Sequence, residues 1–272
     1  MLDCLPIMQG PQDDATPEAR DALDSTSSER WQQLSESTIV FGHQSVGSNI
    51  IDGLEAVAAR YASFELPIVE LSAPEITAGE APNGPGLFHF AVGRNKDPQA
   101  KISSFHEVMS SELGRRAKIA LLKFCYVDFG YELDPDAVFE AYAQAIHDLR
   151  LANPNTRFLH ATSPLTLPRG RSMTDRAKDW VKTLIGRPVY SDPNVARNRY
   201  SARIIDSYAP DIFDIARVES TGPDGSRALQ RLAGQDVYFM FAEWTNDGGH
   251  LSAAGKERAA EVFLRALLAS LD

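Results

Sequence analysis

Apolar positions along the chain fall into short strand-type runs separated by stripes of helical period. Thr38-Ile39-Val40-Phe41 is the first such run, and Ile50, Ile51, Leu54, Val57, Ala58 and Tyr61 after it recur as one face of a helix. Leu66 to Leu71 reads as a second strand, with Pro67 tolerated near its start or at a sheet edge. From Ser72 to Pro98 the chain is rich in Pro and Gly, which predicts a long binding loop or lid carrying His89, Gly93, Arg94 and Asn95, with Phe88 and Phe90 available to line a cleft. A helix is expected around Gln99 to Leu113.

The nearly continuous apolar run from Lys118 to Phe124 suits a central parallel strand covered on both faces. Tyr126, Asp128 and Tyr131 follow at its carboxyl end. Asp134 as cap and Pro135 in the first turn then open a helix that presents Val138, Ala141, Tyr142, Ala145, Ile146 and Leu149 on one face. Arg157 to Ala161 predicts another strand, and helical patterns lie at 173–186 and 194–208. Asp211 to Ile215 and Asp236 to Phe241 are short strand candidates, and a last helix spans Ser252 to Leu271. Strand and helix alternating at this spacing predict an α/β fold of the doubly wound, parallel class.

Residues 1–29 lack periodic apolar positions and read as a flexible or surface-draped N-terminal segment, leaving 30–272 as one domain. A hydrophobic content of 43% is ample for its core. With a net charge of −10 and only the short cluster Arg115, Arg116 and Lys118, no surface tracks phosphates, so nucleic acid is not an expected partner. Cys4 and Cys125 make neither a disulfide framework nor a metal spacing, and Cys125 reads as a small buried hydrophobe. No apolar segment is long enough for a membrane span. Met1 to Gly10 lacks the pattern of a secretory signal, which predicts a cytoplasmic protein if the sequence is complete and a secreted or periplasmic one if a leader was removed.

Two stretches carry candidate chemistry. Ser45 falls between the first strand and its helix, where ligands collect in an open parallel sheet and helix N–H groups can steady a developing negative charge. A serine in that place also serves as a plain helix cap, as does Ser48. Near the other end, Asn246-Asp247-Gly248-Gly249-His250 lets an aspartate reach the Nδ1 of a histidine three positions on, fixing its tautomer and freeing Nε2 to accept a proton. The same spacing is compatible with a turn aspartate and a surface histidine.

With Ser45 early and Asp247-x-x-His250 late, the chain resembles the SGNH, or GDSL-like, hydrolase superfamily over roughly residues 37–271, as a divergent member. The resemblance implies a flavodoxin-like three-layer α/β/α sandwich on a mostly parallel five-stranded sheet. It also implies Ser45 as nucleophile, His250 as general base and Asp247 as its orienter. The chain departs from the family pattern in having His43-Gln44-Ser45 for Gly-Asp-Ser and Cys125-Tyr126-Val127-Asp128 for Gly-x-Asn-Asp. Val127 has no side-chain donor, so the oxyanion is assigned to the Ser45 and Gly93 N–H groups with the Asn95 side chain. His43 and Gln44 are candidates to line the pocket, although a structural hydrogen bond at the strand end is the favoured reading of His43; Asp128 is a candidate to hold the Ser45 loop or a plain turn residue, and His89, His106 and His147 read as structural or exposed. No histidine pair has zinc-site spacing, and the absence of Gly-x-Ser-x-Gly around Ser45 sets the α/β-hydrolase fold aside. The expected function is that of a serine esterase on carbohydrate, small-molecule or lipid esters, with no cofactor or metal. A non-catalytic ligand-binding relative and an O-acyltransferase using the same residues are the alternatives.

Overall fold

In the computed structural model, which describes residues 17–61, 64–169, 192–232 and 234–271, the first apolar run becomes the middle of a parallel sheet. β1 (Thr38–His43) lies between β3 (Gly86–Ala91) and β4 (Ile119–Leu122). β2 (Ile68–Glu70) flanks β3 at one edge, and β5 (Arg157–Ala161) and β6 (Ile212–Phe213) continue beyond β4. Every pairing in this six-stranded sheet is parallel. Ile39, Val40 and Phe41 are wholly buried, which is why so short a run suffices: each such side chain contributes about 1.5 to 3 kcal/mol on leaving water.

Alternation along the strands divides the core in two. Ile39, Phe41, Ile119, Leu121 and Leu159 face one layer of helices, formed by α1 (Pro17–Asp24), α2 (Ser28–Ser35), α3 (Ser45–Ala58), α9 (Ile215–Ser220) and α10 (Ala253–Ala269). Val40, Ala120, Leu122 and Phe158 face the other, formed by α4 (Ala73–Thr77), α5 (Pro98–Met109), α6 (Glu112–Arg116), α7 (Pro135–Ala152) and α8 (Pro193–Tyr208). The result is the three-layer α/β/α sandwich. Among the described residues no helix is long and apolar enough to cross a membrane.

Several expectations are corrected. The stretch 72–98 is not a continuous loop: it holds α4 and β3, and β3 supplies the sixth strand. Phe88 and Phe90, expected to line a cleft, are buried in the core at 1% and 0% exposure. Flanking Pro and Gly obscured a strand whose identity depends on pairing with β1 and β2 on both sides. The helix expected over Gln99 to Leu113 is two helices, α5 and α6. The candidate strand Asp236 to Phe241 leaves the main sheet and forms an antiparallel hairpin, β7 (Leu229–Leu232) with β8 (Gln235–Tyr238). The helical pattern at 173–186 lies outside the described residues. Within the N-terminal stretch read as surface-draped, α1 buries Ala19 and Leu23, and Arg20 meets Glu257 and Glu261 of α10.

Candidate active site

β1 is where the sheet turns outward in both directions, since β3 and β4 pair on its opposite edges. A crevice at such a strand's carboxyl end is a natural ligand position. The chain leaves β1 through Gln44, the N-cap of α3, whose side chain makes no capping bond. Its carbonyl accepts from the N–H groups of Gly47 (2.6 Å) and Ser48 (3.2 Å). The N–H groups of Ser45 and Val46 make no hydrogen bond among the described residues, leaving two donors of a helix N-terminus open. The Ser45 hydroxyl does not cap the helix; its Oγ lies 3.1 Å from His250 Nε2. Gly47 is required here because a Cβ would fall 2.3 Å from that of His43.

The loop before α10 brings His250 to that position. Asp247 Oδ1 accepts from the N–H groups of Gly249 (2.9 Å) and His250 (2.8 Å), while Oδ2 lies 2.6 Å from His250 Nδ1. These bonds, the backbone N–H of His250 foremost, hold the Asp247 carboxyl well below the usual carboxylate range. An ionised Asp247 accepts only, so Nδ1 carries the imidazole proton and Nε2 is left to accept from Ser45. Gly248, at φ +88, and the Thr245 hydroxyl, which accepts from the Gly248 N–H at 2.9 Å, shape the turn. Asn49 Oδ1, one helical turn beyond Ser45, accepts the Leu251 N–H at 3.0 Å and ties the two halves together. The ring of Tyr126 stands edge-on to the His250 ring with centroids 5.6 Å apart.

On the other flank, the segment after β3 is pinned beside Ser45. Gln44 Nε2 donates to the carbonyls of Val92 (2.7 Å) and Gly93 (3.3 Å). Gly93, at φ +50, passes so close to α5 that a Cβ would meet the Ala100 carbonyl at 2.7 Å; its own N–H has no hydrogen-bond partner among the described residues. Asp128 is buried and accepts from the Lys96 N–H (2.8 Å), the Cys125 N–H (2.7 Å) and Lys101 Nζ (2.6 Å). Through it the Gly93-to-Asp97 segment is locked to the turn after β4, where Cys125 Sγ reaches within 3.9 Å of Ser45 Oγ. Lys96 adopts φ 66 in this arrangement, a left-handed conformation uncommon for a side-chain-bearing residue.

The side chains of His43 and Gln44, the two candidates for the pocket lining, are bonded within the protein. His43 is 3% exposed, and both its nitrogens are engaged inside the protein: Nδ1 donates to the Gln44 carbonyl at 3.0 Å, and Nε2 accepts from His89 Nδ1 at 3.1 Å. It cannot meet a substrate as placed, and it supports the Ser45 turn from beneath. Gln44 is likewise engaged by the Val92 and Gly93 carbonyls. Burial pushes His43 down to about 3, so it is neutral. Asn95 is exposed, with Oδ1 accepting from Lys101 Nζ at 3.0 Å.

Lys101, Cys125, Tyr126, Asn49 and Thr245 were not singled out as site residues by sequence reasoning. Asn49 alone carried a readable signal, its spacing of four from Ser45 on one helix face. Among the described residues, no group of three His, Cys, Asp or Glu side chains is arranged to hold a metal ion.

No protein-family model and no curated protein matches the chain. Similar solved structures include a chain from Streptococcus pneumonia provisionally described as a platelet activating factor, at 14% identity and a TM-score of 0.39, covering 82% of this chain and 94% of that one. The periplasmic domain of a lipopolysaccharide acetyltransferase from Salmonella ser. Paratyphi A is similar at 13% identity and a TM-score of 0.42, covering 85% of this chain and 82% of the domain.

Proposed function

We propose that this chain is a serine hydrolase of esters, a divergent SGNH-type enzyme with Ser45 as nucleophile, His250 as general base and Asp247 as the carboxylate that orients it. The observation that carries the reading is the unbroken run of contacts from Ser45 Oγ to His250 Nε2 at 3.1 Å and from His250 Nδ1 to Asp247 Oδ2 at 2.6 Å. It joins residues 205 positions apart in the chain at the mouth of the sheet.

Ser45 Oγ attacks the ester carbonyl carbon while its proton passes to Nε2. The oxyanion that forms is met by the Ser45 and Gly93 N–H groups and by the Asn95 Nδ2 donor. Collapse of the tetrahedral intermediate expels the alcohol, which takes the proton back from Nε2. Water, activated by the same imidazole, then frees the acid from the acyl-enzyme. Removing one oxyanion donor from such a site costs about a hundredfold to a thousandfold in kcat.

His250 and Asp247 keep 40% and 56% of their side-chain surface exposed, so the rim is open enough for a bulky alcohol. That openness favours a carbohydrate or other small-molecule ester as substrate, and it equally admits a sugar hydroxyl in place of water as acyl acceptor. Rapid mixing with p-nitrophenyl acetate tests the reading. A burst of nitrophenol stoichiometric with the chain, absent in Ser45→Ala, is expected; a folded protein that releases none with this or longer-chain esters is instead a ligand-binding relative.

A further inference from the structure

Lys101 lies in the first turn of α5 with no exposed surface, yet its ammonium is aimed toward the site. It donates to Asp128 Oδ2 at 2.6 Å and to Asn95 Oδ1 at 3.0 Å. Burying an ion pair this completely carries a large desolvation cost, and an apolar side chain of similar volume would pack as well. The pairing with Asp128 balances the charge; the bond to Asn95 is not needed for that.

A carboxamide has an accepting end and a donating end. With Oδ1 occupied by Lys101, Asn95 presents Nδ2, which makes no hydrogen bond among the described residues. Its place along the chain is bracketed by two anchors to the surroundings of Ser45. On one side, Gly93 is bonded to Gln44, the residue before Ser45. On the other, Lys96 is bonded to Asp128, which also holds Cys125 against Ser45. The strain at Lys96 is a further sign that this short span is held in one shape.

We infer that Lys101 is a positioning residue for the oxyanion: by fixing Asn95 Oδ1 it turns the Nδ2 donor toward the developing charge on the substrate, and its own charge polarises that amide into a stronger donor. Here a buried cation assists the transition state through a neutral side chain and never touches the substrate. Asp128 keeps the cation in place and couples the Asn95 segment to the turn carrying Cys125. The inference rests on the assignment of Ser45 as nucleophile.

The test uses p-nitrophenyl acetate and measures kcat and KM separately. Ser45→Ala comes first: activity that survives it overturns the nucleophile assignment, and this inference with it. Once activity depends on Ser45, Asn95→Ala is expected to lower kcat about a hundredfold to a thousandfold with KM nearly unchanged. Asn95→Asp keeps an acceptor for Lys101 but sets a negative oxygen where the donor stood, so its kcat falls at least as far. Removing both buried charges together, in Lys101→Met/Asp128→Asn, is expected to lower kcat at least tenfold while Asn95 is in place and to cause no further loss when added to Asn95→Ala. Equal losses in the two backgrounds, or an Asn95→Asp enzyme with unchanged kcat, overturn the inference. Should the charge-removal variant fail to fold, Lys101→Gln, which can still donate to Asp128 without a cation, takes its place in the same two backgrounds and is read by the same two outcomes.

Discussion

Ser45→Ala is expected to lower kcat on p-nitrophenyl esters by about ten-thousandfold or more, with thermal stability close to that of the unaltered chain. Loss of activity on this scale follows if the hydroxyl is the group that becomes acylated, because nothing else near it takes that part. The Cys125 thiol, 3.9 Å from Ser45 Oγ, is only 1% exposed. Stability is spared because Ser45 occupies the first position of α3 without capping it, and alanine is the best helix former there. Asp247→Asn is expected to cost about ten-thousandfold as well, since an amide at Oδ2 can donate to Nδ1 and stabilise the tautomer in which Nε2 bears the proton. A rise in KM with kcat unchanged in either variant would mean that these residues bind ligand without performing chemistry.

The second large effect is on acid stability. Burial above all pushes His43 and His160 each down to about 3, from an ordinary value of 6.5. His160 is held neutral in the second core layer, its Nδ1 2.8 Å from the Tyr142 hydroxyl and its ring stacked on Tyr208. Between pH 6.5 and 3 the unfolded chain therefore binds two protons that the folded chain refuses, so stability rises with pH through this window and is lost as pH falls. Glu219, whose carboxyl is raised by burial, gains a proton on folding and offsets part of the slope above the ordinary glutamate range. Asp214, also raised by burial, extends that offset to lower pH, while His89, lowered by burial, adds to the effect of the other two histidines. Together they withdraw several kcal/mol, on the order of half a typical domain's net stability. Denaturant midpoints measured from about pH 7 to about pH 4 should fall steeply, and His160→Gln should flatten the curve even though it lowers stability at neutral pH. A midpoint that stays level across that range would show that the two imidazoles are not both held neutral by the fold.

What the chain revealed by itself follows from how local each signal is. Ser45 and Asp247-x-x-His250 were legible because strand, turn and helix onset are written within a few residues, and because an Asp and a His three apart bond within one turn. The layered fold was legible from continuous apolar runs such as Ile119 to Leu122. β3 was not, since Gly86 to Ala91 becomes a strand only through partners on both edges and its flanking Pro and Gly read as loop. For His43 the sequence offered a hydrogen bond at the strand end but not the partner: His89 is 46 positions away, and only the register of β1 on β3 brings the rings together. Lys101 was invisible because an isolated lysine in an amphipathic helix predicts a solvated charge, and its burial depends on Asp128 from beyond the next strand.

The most direct measurement of the central claim is reaction with a fluorophosphonate, which forms a stable adduct only with a serine whose proton an adjacent base removes. Intact mass should increase by one phosphonyl group per folded chain, peptide mapping should locate it on Ser45, and His250→Ala should abolish it. A folded chain that stays unmodified, or one whose adduct maps to any other residue, contradicts the account.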